Sequence, residues 1–127
     1  MQISLRNVEK NRMSEIQQSI GEWGLRTFGP EREPYAQLLR LDEEICELTK
    51  EVYELQCMVT RRKVNPTPQE FEEIVKKIRQ EIADIIIVAM NWGYQHDVDI
   101  LDDVLAKMEV NEAREWEVRP DGTGQHK

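Results

Sequence analysis

Two pairs of acidic residues in this sequence have a spacing that suits metal-ion chemistry. Glu44 and Glu47 are three positions apart, and Glu81 and Asp84 repeat that spacing further along the chain. On a helix, residues three apart lie one turn above each other on the same side. If two such pairs face each other across packed helices, their carboxylates form a cage of hard oxygen ligands suited to Mg²⁺ or Mn²⁺.

The second pair lies at the start of the most apolar stretch of the chain. From 82 to 90 every residue except Asp84 is apolar, so a helix here is hydrophobic nearly all round and is expected to be buried. Burying an unpaired carboxylate costs on the order of several kcal/mol. A salt-bridge partner, a raised pKa or a metal ion must offset that cost. A functional role is favoured for Glu81 and Asp84, with a salt bridge to Lys77 or Arg79 as the alternative.

The first pair is less distinctive. Surface helices carry many glutamates at such spacings, and Glu44 and Glu47 also fit a solvated acidic stripe that continues to Glu51 and Glu54. A di-iron carboxylate bundle uses helical glutamates too, but it needs a Glu-x-x-His pair from each of two helices. The two histidines lie elsewhere in this chain, which favours ligation by oxygen alone.

Four helical segments with short connections are predicted to position these acids. Each is delimited by residues that cap or break helices. The first segment is predicted to begin at Ser14, in a capping box with Gln17, and to end at Gly24. The second runs from Pro34 to the polar connection 61–68, and the third from the cap Thr67 to Gly93. The fourth begins at Asp97 or Asp99 and ends in a fraying tail. Apolar residues recur at spacings of three and four in the second and third segments, as in packed amphipathic helices.

The predicted fold class is all-α, a helical bundle of about four helices per chain. Residues 1–127 are expected to form a single domain, with 1–13 as an N-terminal lead segment and 118–127 as a C-terminal tail. The neighbouring helices of one small chain would hardly cover the apolar third segment. We therefore expect dimerisation to complete the core, in a homodimer or a homotetramer.

Composition excludes several classes of function. With 25 acidic against 17 basic residues the net charge is −8, so the molecule repels polyanions and no nucleic-acid partner is expected. There is no run of about 18 apolar residues and no secretory signal, so no membrane association is expected and the predicted location is cytoplasmic.

Four blocks of sequence, in order, carry a resemblance to a known family. "EEICE" followed by "EIAD" resembles the EExxE and ExxD signature of the MazG-like, all-α nucleoside triphosphate pyrophosphohydrolases. "WGLRTFGP" before these motifs, and "KMEVNEAREW" with "DGTGQH" after them, resemble a phage and bacterial branch of that superfamily. The similarity covers most of the chain from about Trp23 onward.

The resemblance implies cleavage of a nucleoside triphosphate, with a deoxynucleotide favoured, to the monophosphate and pyrophosphate. By motif position, Glu44, Glu47, Glu81 and Asp84 would be the catalytic acids and would hold Mg²⁺, with Mn²⁺ as a possible substitute. One of the glutamates would orient or deprotonate the attacking water. A carboxylate site with two metal ions supplies the charge neutralisation and the fixed line of attack that such hydrolysis needs.

Further residues are candidates for substrate binding. Lys107, Asn111 and Arg114, spaced four and three apart, form a polar stripe on the fourth segment. In the related enzymes such positions contact phosphates or sugar, and the alternative is an ordinary solvated face. Trp23 and Phe28 would provide an aromatic wall for the base, with Phe28 kept as the candidate, although an aromatic residue at a helix end often only plugs the core.

A second hypothesis remains open. The chain would then be a non-catalytic helical oligomerisation or interaction protein. Its acidic residues would be salt-bridged to nearby basic ones, namely Lys50, Lys76, Lys77 or Arg79.

Overall fold

The computed structural model describes residues 7–30, 33–60 and 66–127. Four helices are followed by two short strands: α1 (Asn7–Phe28), α2 (Pro34–Thr60), α3 (Pro68–Gln95), α4 (Ile100–Ala113), β1 (Trp116–Val118) and β2 (Gly124–His126). The prediction of a four-helix, all-α fold is confirmed. Within the described ranges, no helix is long and apolar enough to cross a bilayer.

The two longest helices, α2 and α3, form the centre of the fold. They share the most extensive contact in the chain, and α1 packs on α3. The two helices run antiparallel. This direction is evident from the hydrogen bond that Gln37, near the start of α2, donates to Gln95 at the end of α3. The start of α3 follows the sequence prediction: the Thr67 hydroxyl accepts a hydrogen bond from the Glu70 backbone N–H at 3.1 Å, and proline occupies the first turn.

The first helix differs from the prediction. It begins well before Ser14 and continues through Gly24, so the predicted capping box is wrong. Ser14 Oγ instead donates to Asp99 Oδ2 at 2.7 Å, and Gln17 Oε1 accepts from the Ile100 backbone N–H at 3.1 Å. Two polar side chains with the spacing of a capping box therefore bind the start of α4, where Asp99 is the N-cap.

The longer α1 lies very close to α3 at one glycine. A Cβ added at Gly21 would come within 1.9 Å of the Tyr94 ring. Only glycine allows the helices to approach this closely without moving the ring. Trp23 and Phe28, which follow Gly21 in α1, line a cavity together with residues of α2 and α3.

The C-terminal tail, predicted to fray, forms a β-hairpin. β1 and β2 are antiparallel, with Trp116 opposite His126. The turn between them is held by Asp121 Oδ1, which accepts from the Thr123 backbone N–H at 2.9 Å and from its hydroxyl at 2.6 Å. Gly122 adopts the left-handed conformation, with φ +87°, that such a turn requires.

The chain alone buries little apolar surface. Among the described residues, only Ile74 (3% exposed) and Met90 (7%) are buried apolar side chains. The apolar helix α3, predicted to be covered, leaves Ile82 and Ile86 at 44% and 48% exposure. A chain of this length commonly buries about two-thirds of its unfolded surface, so these side chains form an apolar surface available to another molecule.

Candidate active site

Three of the four predicted acids come together where α2 and α3 pack. Glu44 from α2 and Glu81 and Asp84 from α3 each place a carboxylate oxygen within 4.8 Å of the other two. The arrangement follows from the local structure. Glu81 and Asp84 lie one turn apart on α3, and the antiparallel helix α2 brings Glu44 opposite them.

The burial of these acids is the reverse of what the sequence indicates. Glu44, which by its sequence context also fits a solvated stripe, is the most buried of them at 1% exposure. Asp84, expected among crowded isoleucines, is exposed and faces a cavity. The expectation that Asp84 is buried within an apolar helix is therefore wrong. Helix periodicity locates an apolar stripe but does not show where a neighbouring helix ends and an opening begins.

Glu47 lies outside the group of three but still interacts with it. Its side chain is exposed, and its carboxyl group lies near that of Glu81. The pKa of Glu81 is raised, first by burial, then by the neighbouring Glu47 carboxyl group, and further by the charges of Glu44 and Asp84.

A cation lies beside the buried acid. The Arg40 guanidinium pairs with Glu44 Oε1 and, at 3.0 Å, with Glu43 Oε2. The Arg40 side chain is 57% exposed, whereas that of Glu44 is only 2% exposed. In the described parts of the chain, neither Lys77 nor Arg79 forms an ion pair with Glu81 or Asp84. The salt bridge that the sequence offered as the alternative role of Glu81 and Asp84 is therefore not formed among the described residues.

A cavity of about 430 Å³ opens beside the acids, within the range of roughly 300–1,000 Å³ common for small-molecule sites. Glu44 and Asp84 are part of its wall, and most of the wall surface is apolar. Its lining residues come from α1, α2, α3 and the α1–α2 connection: Trp23, Phe28, Glu33, Ala36, Gln37, Arg40, Glu44, Asp84, Ile87, Val88, Asn91 and Trp92. Trp23 and Phe28 pack edge to face, with ring centroids 5.5 Å apart.

The acidic group fits a divalent ion that prefers oxygen. Mg²⁺ and Mn²⁺ bind oxygens at about 2.1 Å in octahedral geometry, so oxygens on one ion lie roughly 3–4 Å apart. The three carboxylates meet this spacing with small adjustments. Glu81 Oε2 is buried, and no hydrogen-bond partner for it exists in the described parts of the chain. A bound cation would satisfy this oxygen and relieve the repulsion among the three charges.

The predicted phosphate and sugar ligands lie elsewhere. Lys107 and Asn111 are on α4, and Arg114 follows as its C-cap. None of the three lines the cavity of the same chain. Their proposed contacts with substrate stay predictions. Phe28, by contrast, lies in the cavity wall.

Sequence reasoning did not single out Arg40 and Asn91. Arg40 is four positions before Glu44, a helical ion-pair spacing that the sequence does contain. Asn91 is seven positions after Asp84, which places both on nearly the same side of α3. A polar residue at that spacing within an apolar stripe was the available signal.

Comparisons with known proteins agree with the site. A dATP/dGTP diphosphohydrolase of Cyanophage S-2L is 26% identical over 114 residues, covering 90% of this chain and 87% of that protein. A dATP/dGTP diphosphohydrolase of Salmonella phage PMBT28 is 28% identical over 114 residues, but this match spans only 31% of that longer protein. No protein-family profile matches the chain.

A solved structure shares the fold. It is the Cyanophage S-2L MazG-like pyrophosphohydrolase bound to dGDP and three catalytic Mn²⁺ ions per active site. The TM-score is 0.59 at 25% identity, over 91% of this chain and 92% of that chain.

The fold and the facing carboxylates first define a class, the all-α helical proteins whose acidic side chains can hold metal ions between packed helices. The likenesses then confirm the resemblance that the EExxE and ExxD motifs indicate. In both sequence and fold, the chain is similar to the MazG-like pyrophosphohydrolases.

Proposed function

We propose that this protein hydrolyses a purine deoxynucleoside triphosphate to the monophosphate and pyrophosphate. It is a hydrolase acting on diphosphate bonds, as the names of its relatives indicate. The main support is the grouping of Glu44, Glu81 and Asp84, of which Glu44 and Asp84 line a cavity large enough for a nucleotide. The relatives named for dATP and dGTP, and the neighbour that binds dGDP, support a purine deoxynucleotide as substrate.

The acids on α2 and α3 are the proposed metal ligands. Glu44, Glu81 and Asp84 would hold divalent ions, and Glu47 would join them from the adjacent turn of α2. We expect Mg²⁺ or Mn²⁺, of which Mn²⁺ is the ion in the structural neighbour. When bound, such ions neutralise charge on the triphosphate and make water more acidic near the attacked phosphorus.

Glu81 is the proposed group that orients the attacking water and accepts its proton. A base works best when its pKa is near the working pH, and the pKa of Glu81 is raised by burial and by three neighbouring acids. Glu47, whose carboxyl group lies near that of Glu81, would help to hold it in position.

Arg40 is a further candidate for phosphate binding. It lines the cavity beside Glu44 and supplies a planar guanidinium, which matches phosphate oxygens well. If Glu44 served as a metal ligand, the Arg40 guanidinium would be available to pair with the triphosphate.

The apolar part of the cavity is the proposed base site. Phe28 and Trp23 would form one wall, where an aromatic face can stack on a base. Lys107, Asn111 and Arg114 remain predicted ligands of phosphate or sugar.

We also propose that the active protein is a homodimer or homotetramer. Exposed apolar side chains occur along α2 and α3, among them Leu38, Ile45, Val52, Ile82 and Ile86. A second copy of the chain would cover such a surface and complete the core.

Hydrolysis in ¹⁸O-labelled water tests the proposed reaction. With dATP or dGTP and Mg²⁺ or Mn²⁺, we expect monophosphate and pyrophosphate in equal amounts, with the label in the monophosphate, because water attacks the α-phosphorus. Asp84→Asn should lower kcat by at least about 100-fold. Glu54→Gln makes a comparable change at an exposed position of α2 and should leave the rate unchanged. Label in the pyrophosphate, or release of inorganic phosphate, would contradict the proposal.

A further inference from the structure

Asn91 is the buried polar residue in the cavity wall that the proposed reaction does not yet use. It lies on α3 and is only 7% exposed. Its Oδ1 is buried, and no hydrogen bond to this atom is formed by the residues that the structure describes. Buried acceptors are nearly always paired with protein, water or ligand, so this oxygen needs a partner that enters the cavity.

The position of Asn91 suits a nucleobase. It is seven residues beyond Asp84, about 10.5 Å along the helix and on nearly the same face. A nucleotide with its phosphates at the acids would extend its sugar and base along this direction. The surrounding walls include Trp23, Phe28 and Trp92, whose rings can stack on a base.

We propose that Asn91 recognises the substrate by hydrogen bonds to the purine edge formed by ring positions 1 and 6, and that rotation of its amide lets one residue accept both adenine and guanine. This inference rests on the proposed function and names the residue that selects the base. Adenine presents a donor at position 6 and an acceptor at position 1, and guanine presents the reverse order. An amide carries one acceptor oxygen and one donor nitrogen, which exchange places when the group turns by 180°.

Ring size would add selectivity against pyrimidines. Cytosine and thymine offer similar pairs of groups, but on a single ring. When the phosphates and sugar are held in the same place, the pyrimidine edge lies further from Asn91 by the width of the missing ring. The amide would then remain unpaired in an apolar wall, which disfavours the smaller base.

The test combines two changes to the protein with one change to the substrate. Asn91→Leu keeps a similar volume and removes both polar groups. We expect kcat/KM to fall roughly 10- to 100-fold for dATP and for dGTP, the range for loss of a paired contact to a base. For the deoxynucleoside triphosphate of unsubstituted purine, which lacks the group at position 6, the wild type should already be poor and Asn91→Leu should change little. Equal losses on all three substrates would overturn the proposal, since they would indicate a buried water or a packing role.

Asn91→Asp tests the amide itself in nearly the same volume. A carboxylate has two acceptors and no donor, so it can accept from N1–H and the 2-amino group of guanine but cannot donate to adenine N1. The ratio of kcat/KM for dGTP over dATP should rise about tenfold or more. An unchanged ratio contradicts the proposal, even if Asn91→Leu does not fold. Gln80→Leu, the same kind of change at an exposed position of α3, should alter neither constant.

A binding measurement separates this proposal from the proposed reaction. Calorimetric titration with dADP or dGDP in the presence of Mn²⁺ reports base recognition without turnover. If no nucleotide is hydrolysed but Asn91→Leu still weakens binding of both diphosphates, the proposed reaction fails and base recognition stands. If hydrolysis occurs but binding and base preference are unchanged in both Asn91 variants, Asn91 is not the recognition residue.

Discussion

Replacement of Arg40 by methionine should destabilise the metal-free protein and leave the metal-bound protein nearly unaffected. Arg40 neutralises Glu44, whose side chain is 2% exposed and lies beside two more carboxylates. Methionine retains most of the aliphatic stem and removes the charge. Without the guanidinium, Glu44 keeps a buried charge with no compensating cation, unless a metal ion supplies one.

The expected size of the effect follows from the exposure of the two partners. Removing one member of a fully buried ion pair costs about 3–5 kcal/mol, and exposed pairs contribute about 0–1 kcal/mol. Since the Arg40 side chain is 57% exposed and that of Glu44 is buried, we expect an intermediate loss of about 1–3 kcal/mol. For a chain of this length, each kcal/mol corresponds to roughly 3–5 °C in Tm.

Thermal unfolding in EDTA and in excess Mn²⁺ measures this effect. The difference in Tm between wild type and Arg40→Met should be clear in EDTA and should nearly close with metal. If a stability difference of about 2 kcal/mol in EDTA disappears completely in Mn²⁺, linkage requires that the variant binds metal about 30-fold more tightly than the wild type. Calorimetry can check this difference in affinity. Arg79→Met, on the exposed side of α3, should show neither effect. An equal loss of Tm with and without Mn²⁺, or weaker metal binding by Arg40→Met, would refute competition between Arg40 and metal for Glu44.

Three further predictions concern stability and assembly. In EDTA, Glu81→Gln should raise Tm at pH 7–8 and lose this advantage below about pH 4, because a raised folded-state pKa gives stability that is present at low pH and lost as the pH rises. Gly21→Ala should lower the free energy of unfolding in urea by about 1–2 kcal/mol, because the clash with Tyr94 outweighs a helix-propensity gain of about 1 kcal/mol. Ile86→Lys should shift the elution volume of the protein in size-exclusion chromatography from oligomer to monomer, since it places a charge on the exposed apolar surface of α3.

Each of these predictions has a contrary outcome. A constant Tm difference across the pH range would mean that Glu81 titrates alike in the folded and unfolded chains. Ser19→Ala, at an exposed position of α1, is the control for Gly21, and equal effects of the two changes would argue against the clash. A monomeric wild type would contradict the proposed oligomer.

The limits of the central helices could be predicted because the signals that set them are local. Pro34, Thr67 and Asp99 act on backbone groups within a few residues, and each begins or caps a helix as expected. The alternation of apolar residues between these limits is also a property of each helix alone. These signals therefore predict the four helices.

The signals that failed depend on groups distant in sequence. Ser14 and Gln17 have the spacing of a capping box, yet their partners, Asp99 and Ile100, are more than 80 positions away. The same limit applies to the acids. The motifs identify Glu44 and Asp84, but which of them is buried depends on how α1 and α2 end around the cavity, and helix periodicity contains no information about that.

The buried position of Glu44 links the chemistry of the site to the stability of the fold. An apolar residue there would suit the contact between α2 and α3 better, since a carboxylate in that position needs a cation to offset the loss of its hydration. Arg40 can supply that charge from four residues away on the same helix, and a metal ion can supply it from the cavity. In the proposed site two cations would share one buried acid, so metal would be held less tightly than by the acids alone, and an arginine would be left near the bound phosphates. The features that weaken this part of the core are thus the ones that the proposed metal-dependent hydrolysis would use.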